Sequence, residues 1–338
     1  MNSPFAKAIE AAARASPMAS GSVPVVRSRT LLVDGDGLAY YCAGNDDTGA
    51  GEARANLVDK VKAAMRVSGA TDVRVLITLS GSHKGHRYAI ARVKPYQGQR
   101  TGSRRPKNYP VLRDFLTSDE FPFPKESTAK AEADDLFGWW AYNSPEDVVI
   151  YTQDKDMRML PGMHMDWVSH RIYSVPYTKT VCIERELMYN VIPTDCIFNE
   201  KQYGHKWFWL QMLHGDTADN IPGLPKYEVD GKLKPVGEVT ASKLLADEKL
   251  MHLRVAELYR TYYGDRWLVE MMEQACLLWM RRVPEHWDDC MNPGGPLAYF
   301  NDGEETFAKA YLEIEGRIRD ADNINSTAAQ VNASSDTP

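Results

Sequence analysis

The stretch that decides the reading is Asp147-Val148-Val149-Ile150-Tyr151-Thr152-Gln153-Asp154-Lys155-Asp156. Its first half is an apolar run of strand-forming residues, and it ends in two aspartates. Two residues apart on an extended chain, Asp154 and Asp156 would point the same way. Just upstream lies Ala131-Glu132-Ala133-Asp134-Asp135, running into the apolar Leu136 to Tyr142, so five carboxylates fall within 25 residues. At ~4 Å, two like charges cost about 1 kcal/mol in water and several times that near a protein interior. Such acids must share protons, find cations from the protein, or hold metal. Cations nearby are few (Lys130, Lys155, Arg158), which favours metal.

Working outward, the same pattern recurs. Arg29–Val33 runs into Asp34-Gly35-Asp36-Gly37, read as a buried strand and a turn, and Asp72–Leu79 runs into Ser80-Gly81-Ser82. Helical spacing marks Glu52–Ser68 (Leu57, Val61, Ala64, Met65) and Glu132–Asn143, and a further helix is expected at Tyr109–Leu116. Strands alternating with helices predict an α/β fold with a mainly parallel central sheet flanked by helices. Ligands bind beyond the carboxyl ends of such strands, where Asp34, Ser80 and Asp154 stand. Glu132 and Asp135, three apart, are expected on one helix face. Asp36 reads as a turn or cap residue, and His83 and His86 as solvent-facing.

The net charge is −6, yet Val73 to Arg113 holds ten Lys/Arg and no acid. An acidic pocket beside a basic limb suits a polyanion held by one and cut at the other. At 338 residues the chain implies about two domains. The expected plan is a flexible Ala/Ser/Pro leader (1–28), an α/β domain (29–190) with a basic arch (81–117), a helical subdomain (191–320) and a disordered tail (321–338). Short strands are expected within Met165–Tyr177, and helices at Ile183–Tyr189, Lys201–His214, 250–283 and 303–319. Asp230-Gly231, flanked by alternating residues, predicts a hairpin over 227–234. Five cysteines without metal spacing read as reduced thiols. No apolar run approaches the ~18–20 residues of a membrane span, and a cytoplasmic location is expected.

LLVDGDGLAY, EADD, TQDKD and GDTADNIPG, in this order and spacing, resemble the 5′-nuclease family: flap endonucleases, the 5′-exonuclease domain of bacterial DNA polymerase I, and stand-alone phage 5′→3′ exonucleases. Size and the DGD form of the first motif are most similar to the phage enzymes. The resemblance implies a PIN-like 5′-nuclease fold with a helical arch or clamp and a helix–hairpin–helix element at 210–246. It implies metal-binding roles for Asp34, Glu132, Asp134, Asp135, Asp154, Asp156, Asp216 and Asp219. The family's arch would supply catalytic cations, here Lys94, Arg100 and Arg87. DNA contacts are expected from Lys84, Arg92, Tyr96, Gln97, Arg104, Arg105 and Lys107, and from Gly223, Gly237, Thr240 and Lys243, with Tyr96 or Tyr88 stacking on a base.

Three positions depart from the family pattern. Ser80 stands where an aspartate is usual, Gln97 stands where phage members carry a lysine, and the 227–234 hairpin enlarges the turn, to lengthen the duplex grip or meet a partner protein.

Implied cofactors are two divalent ions, Mg2+ or Mn2+, since hard oxygen ligands without a His/Cys cluster suit these and not zinc. A monovalent cation at the helix–hairpin–helix turn is a further expectation. The implied activity is 5′→3′ exonuclease and 5′-flap endonuclease cleavage of DNA, in phage replication or host DNA degradation, extending to RNA primers. Expected partners are duplexes with 5′ ends, nicks or flaps and RNA–DNA hybrids, bound by a monomer in the cytoplasm, that of the host if phage-encoded. Rival readings are a catalytically weakened DNA-binding protein of the same fold, motivated by Ser80 and Gln97, and a PIN-like endoribonuclease.

Overall fold

The computed structural model describes residues 26–100, 102, 104–175, 197–198, 201–247, 250–301 and 305–335. The helix expected at Ile183–Tyr189, the boundary at 190 and nearly all of the expected leader lie outside the described residues.

Strands β1 (Val26–Asp34), β2 (Ala70–Thr78), β3 (Lys125–Thr128), β4 (Val148–Tyr151), β5 (Gly162–Met165) and β6 (Ile172–Val175) form one sheet in the order β3-β2-β1-β4-β5-β6. All neighbours are parallel except β5 and β6. β1 sits beside both β2 and β4, so the three acid- and serine-tipped runs of the sequence end side by side. Alternate residues of β1 feed opposite layers. Leu31 and Val33 pack with α1 (Gly35–Cys42), α2 (Ala50–Ser68) and α4 (Tyr109–Thr117). Leu32 packs with α5 (Ala133–Asn143) and the helices that follow. The short α3 (Arg87–Ile90) lies between α2 and α4 in the chain.

The turn expected at Asp34 to Gly37 is instead the start of α1: Asp34 is its N-cap and accepts the Gly37 N–H at 2.8 Å. Gly35 allows this tight entry, because a Cβ there would stand 2.8 Å from the Leu76 carbonyl oxygen. The basic stretch holds no long helix among its described residues. Up to Asn108 its described residues form α3, two 3-10 turns (Lys84–His86 and Gly98–Arg100) and coil, and α4 closes it.

Past the sheet come the two-residue strands β7 (Ile197–Phe198) and β8 (Lys201–Gln202), then α6 (His205–His214). The hairpin β9 (Lys226–Val229) and β10 (Lys232–Pro235) follows, and then α7 (Glu238–Leu244). Asp230 and Gly231 both take positive φ (51° and 71°), the left-handed pair that a two-residue hairpin turn requires. Helices α8 (Met251–Tyr263) and α9 (Trp267–Leu278) break at Gly264, and α10 covers Glu305–Ser335. The stretch from 321, expected as a disordered tail, thus continues α10 to Ser335. Phe307, Ala310, Ile314 and Ile318 anchor the helix on the core, and extending a formed helix is cheaper than nucleating one.

One buried ion pair joins these parts. Arg87 donates twice to Asp135, at 2.7 and 2.8 Å, and also to the Leu277 and Trp279 carbonyls at 3.1 Å each. Arg281, equally buried, donates to the Gly85 carbonyl at 2.7 Å. The root of the basic stretch is thereby fixed to α5 and to the end of α9. Burial alone would raise the Asp135 carboxyl; Arg87 and then Arg281 outweigh it and hold it below the usual carboxylate range.

Removing one partner leaves a buried charge unpaired, so Asp135→Ala should lower unfolding free energy in urea by about 3–5 kcal/mol. A loss under about 1 kcal/mol, the scale of an exposed pair, would contradict this role.

Candidate metal centre

Five segments converge beyond the carboxyl ends of β1 and β4. From β1 comes Asp34, whose Oδ2 accepts the Thr152 hydroxyl at 2.9 Å, tying the two strand ends together. After β4 the chain does not stay extended. The Asp154 N–H donates to Thr152 Oγ1 and the Asp156 N–H to Asp154 Oδ1, both at 2.9 Å, and the chain turns into the 3-10 segment Asp156–Met159. Asp154 faces the mouth, while Asp156 is buried and accepts the Gln211 amide of α6 at 2.6 Å.

The loop after α6 supplies Asp216, 2.6 Å from Lys155 Nζ, and Asp219. Carboxylate oxygens of Asp156, Asp216 and Asp219 lie within 4.8 Å of one another. The start of α5 supplies Glu132 and Asp134. Glu132 is its N-cap and, with Asp135, forms a reciprocal capping box.

The fifth segment is the basic limb. Lys84 Nζ donates to Glu132 Oε1 and to Gln97 Oε1, each at 2.8 Å. The Tyr96 hydroxyl lies 2.7 Å from Glu132 Oε2 and 2.9 Å from Asp219 Oδ2. Gln97 Nε2 donates to Asp219 Oδ1 at 3.0 Å, and Arg100 pairs with the same carboxylate.

Electrostatics follow from the crowding. Burial first, then Asp154, Glu132 and Asp34, hold the Asp134 carboxyl well above its ordinary range. Asp156 is raised likewise by burial, then by Asp154 and Asp216, and Asp34 by burial. Asp154 keeps a solvent-accessible edge, yet enclosure by protein pushes it up to about 7; the Asp156 N–H opposes this, while Asp34, Asp219 and Asp216 add to it. Lys84, Lys155 and Arg100, with Arg87 beside Glu132 and Arg113 near Asp34, face seven acids: Asp34, Glu132, Asp134, Asp154, Asp156, Asp216 and Asp219. An all-oxygen donor set with unbalanced negative charge fits a hard divalent cation.

Several expectations need correction. Asp135 does not face this cluster, because its oxygens are held by Arg87. For the same reason Arg87 is a buried anchor and no catalytic cation. Tyr96 is only 4% exposed and cannot stack on a base; Tyr88, half exposed and edge-on to it at 5.5 Å, can. Gly223 is buried with its N–H on Gln274 Oε1 at 3.0 Å, so it offers nothing to a phosphate.

Other residues lie on the surface. Lys94 and Arg92 are exposed. Arg104 pairs with Asp46 at 2.6 Å, Lys107 donates to the Asp46 carbonyl at 3.3 Å, and Arg105 lies 5.4 Å over the Tyr109 ring. Gly237 caps α7, with Thr240 half-buried and Lys243 exposed on that helix. Asp36 lies in the first turn of α1, paired with Arg113. The sequence reading missed Thr152, Gln211 and the bridging role of Tyr96. Gln211 did leave a signal, a lone amide inside the apolar run of α6.

Among solved structures, the chain is similar to the bacteriophage T5 flap endonuclease in a pseudo-enzyme-product complex with DNA and metal ions, with TM-score 0.52, 15% identity, and 86% of this chain and 99% of that one covered. It is equally similar to the T5 5′-exonuclease with zinc bound, with TM-score 0.52, 16% identity, and 86% and 100% covered. The chain has the PIN-like 5′-nuclease fold. In sequence it is similar to DNA polymerase I of Deinococcus radiodurans, 25% identical over 247 residues, and of Bacillus caldotenax, 28% identical over 158 residues. Those matches cover 69% and 44% of this chain but only 22% and 15% of the polymerases, so the chain spans about a fifth of their length. No family model matches the chain.

Acids raised in the folded state stabilise it below their unfolded values and lose that contribution as pH rises through the folded value, about 7 for Asp154. A divalent ion such as Mn2+ held by these carboxylates would have to displace those protons. Added Mn2+ should therefore raise the melting temperature more at pH 8 than at pH 5.5. Equal shifts at both pH values would show binding elsewhere.

Proposed function

We propose that the chain is a metal-dependent 5′→3′ exonuclease and 5′-flap endonuclease of DNA. The observation that carries this reading is the convergence of strand-end acids with cations of the basic limb in one place, inside a 5′-nuclease fold. Asp34, Glu132, Asp134, Asp154, Asp156, Asp216 and Asp219 would hold two ions, Mg2+ or Mn2+. When bound, these supply an activated water and stabilise the leaving oxygen.

The chain's own residues do the rest. Lys84, set by the 3-10 turn that Arg87 and Arg281 anchor, neutralises charge building on the scissile phosphate. Arg100 assists from the same limb. Tyr88 stacks on a base near the break. Gly237, Thr240 and Lys243 grip duplex phosphates at the start of α7, and Arg92, Lys94, Arg104, Arg105 and Lys107 attract the strand. Phosphate contacts carry little base information, so sequence preference is weak. The proposed substrates are nicked, flapped and 5′-ended duplexes and RNA–DNA hybrids, cut by a monomer in phage replication or host DNA degradation.

The rival reading of a catalytically weakened binder rested partly on Gln97. The Lys84 ammonium, 2.8 Å from the Gln97 amide oxygen, brings a cation to that position and weakens the case.

On an end-labelled 5′-flap duplex with Mg2+ or Mn2+, Asp154→Asn should lower kcat by on the order of 10²-fold or more while leaving DNA affinity intact. Unchanged turnover would overturn the reading. Affinity of the parent protein should fall steeply with salt, log K dropping by roughly 0.9 per phosphate neutralised for each decade of salt; a flat response would exclude the basic limb as the DNA contact.

A further inference from the structure

The Tyr96 hydroxyl touches acids from two separate parts of the fold. Glu132 belongs to the start of α5, and Asp219 to the loop after α6. The ring is fixed in the apolar core with Ile90 and Ala91. The backbone on either side is zipped to the Asp219 loop: the Gln97 N–H donates to the Asp219 carbonyl at 2.8 Å, and Asn220 Nδ2 donates to the Pro95 carbonyl at 2.8 Å.

The remaining carboxylate oxygens have their own partners on the same limb. Lys84 holds Glu132 Oε1, and Gln97 and Arg100 hold Asp219 Oδ1. Glu132 Oε2 and Asp219 Oδ2 therefore meet across the Tyr96 oxygen, with Arg87 also 3.2 Å from the former. Without that oxygen, the link between the two carboxylates runs through two side chains in series, Lys84 on Glu132 and Gln97 on Asp219.

We propose that Tyr96 is a positioning residue of the metal centre: its hydroxyl sets Glu132 and Asp219 in one mutual orientation and so makes the basic limb a structural wall of the site. The metal-holding role of these two acids rests on the functional reading above. Tyr96 itself needs no contact with substrate. Partners that orient metal ligands typically govern affinity or activity by about 10–100-fold, and a hydroxyl on a rigid ring is suited to such a task.

The test is Tyr96→Phe, which keeps the ring and removes one oxygen. Mn2+ binding without DNA, followed by calorimetry at pH 8, should weaken by about 10–100-fold. The kcat on flap DNA should fall by a similar factor, with KM unchanged within about twofold, because the change leaves the exposed cations that attract the strand, such as Arg92, Lys94 and Lys107, in place. In a double-mutant cycle with Asp219→Ala, which removes the acceptor altogether, the losses in Mn2+ affinity should be strongly non-additive, since both changes break the same contact. Unchanged Mn2+ affinity in Tyr96→Phe, or fully additive losses in the cycle, would overturn the proposal. A parent protein that binds Mn2+ but cuts no DNA would sink the functional reading while leaving the comparison of Mn2+ affinities intact.

Discussion

Mutual repulsion among carboxylates is the constraint around which this fold is arranged. Seven acids drawn from positions between Asp34 and Asp219 share one crevice, and each close like-charged pair costs free energy that rises as water is excluded. Core packing holds the elements that carry them. β1 and β4 lie side by side, α5 rests on the sheet, and α6 is buried almost throughout. Helix N-termini offset part of the repulsion, since Asp34 caps α1 and Glu132 and Asp134 sit at the start of α5, where the helix dipole favours negative charge. Lys84, Lys155 and Arg100 offset more. The charge that remains is what a divalent ion would meet.

The acids of the Glu132 to Asp135 run divide two tasks. Glu132 and Asp134 belong to the crevice, whereas Asp135 turns inward to Arg87. Spacing alone put Glu132 and Asp135 on one helix face, but Glu132 is an N-cap with extended backbone (φ −101°, ψ 159°), so helical spacing does not apply to it. The capping box brings the two side chains to each other's backbone, and the ion pair then takes Asp135 out of reach of the cluster. The basic limb is divided in the same way: Arg87 and Tyr96 are buried supports, while Lys84 reaches into the crevice and Tyr88 lies on the surface.

Much of the scaffold was legible because it depends on local patterns. Buried strands appear as apolar runs, and Asp230-Gly231 specifies its hairpin through two left-handed residues. The strand-end positions of Asp34 and Asp154 followed from a general property of parallel sheets. What was not legible depends on distant partners. Nothing near Arg87 signals that Asp135 and the carbonyls of α9 will enclose it. Tyr96 reads as an aromatic among arginines until Glu132 and Asp219 arrive from either side. Ser80 stood out as a departure, although β2 ends at Thr78, whose hydroxyl accepts the Ala133 N–H at 2.9 Å and helps seat α5.

If cations resolve the crowding of these carboxylates, they must sit in the crevice itself. An anomalous difference map from crystals grown with Mn2+ tests it most directly. Peaks are expected in the crevice at roughly 2.0–2.3 Å from oxygens of acids such as Asp34, Asp154 and Asp216, the distance range of hard divalent ions. A map whose peaks fall only on surface carboxylates, with this crevice holding none, would contradict it.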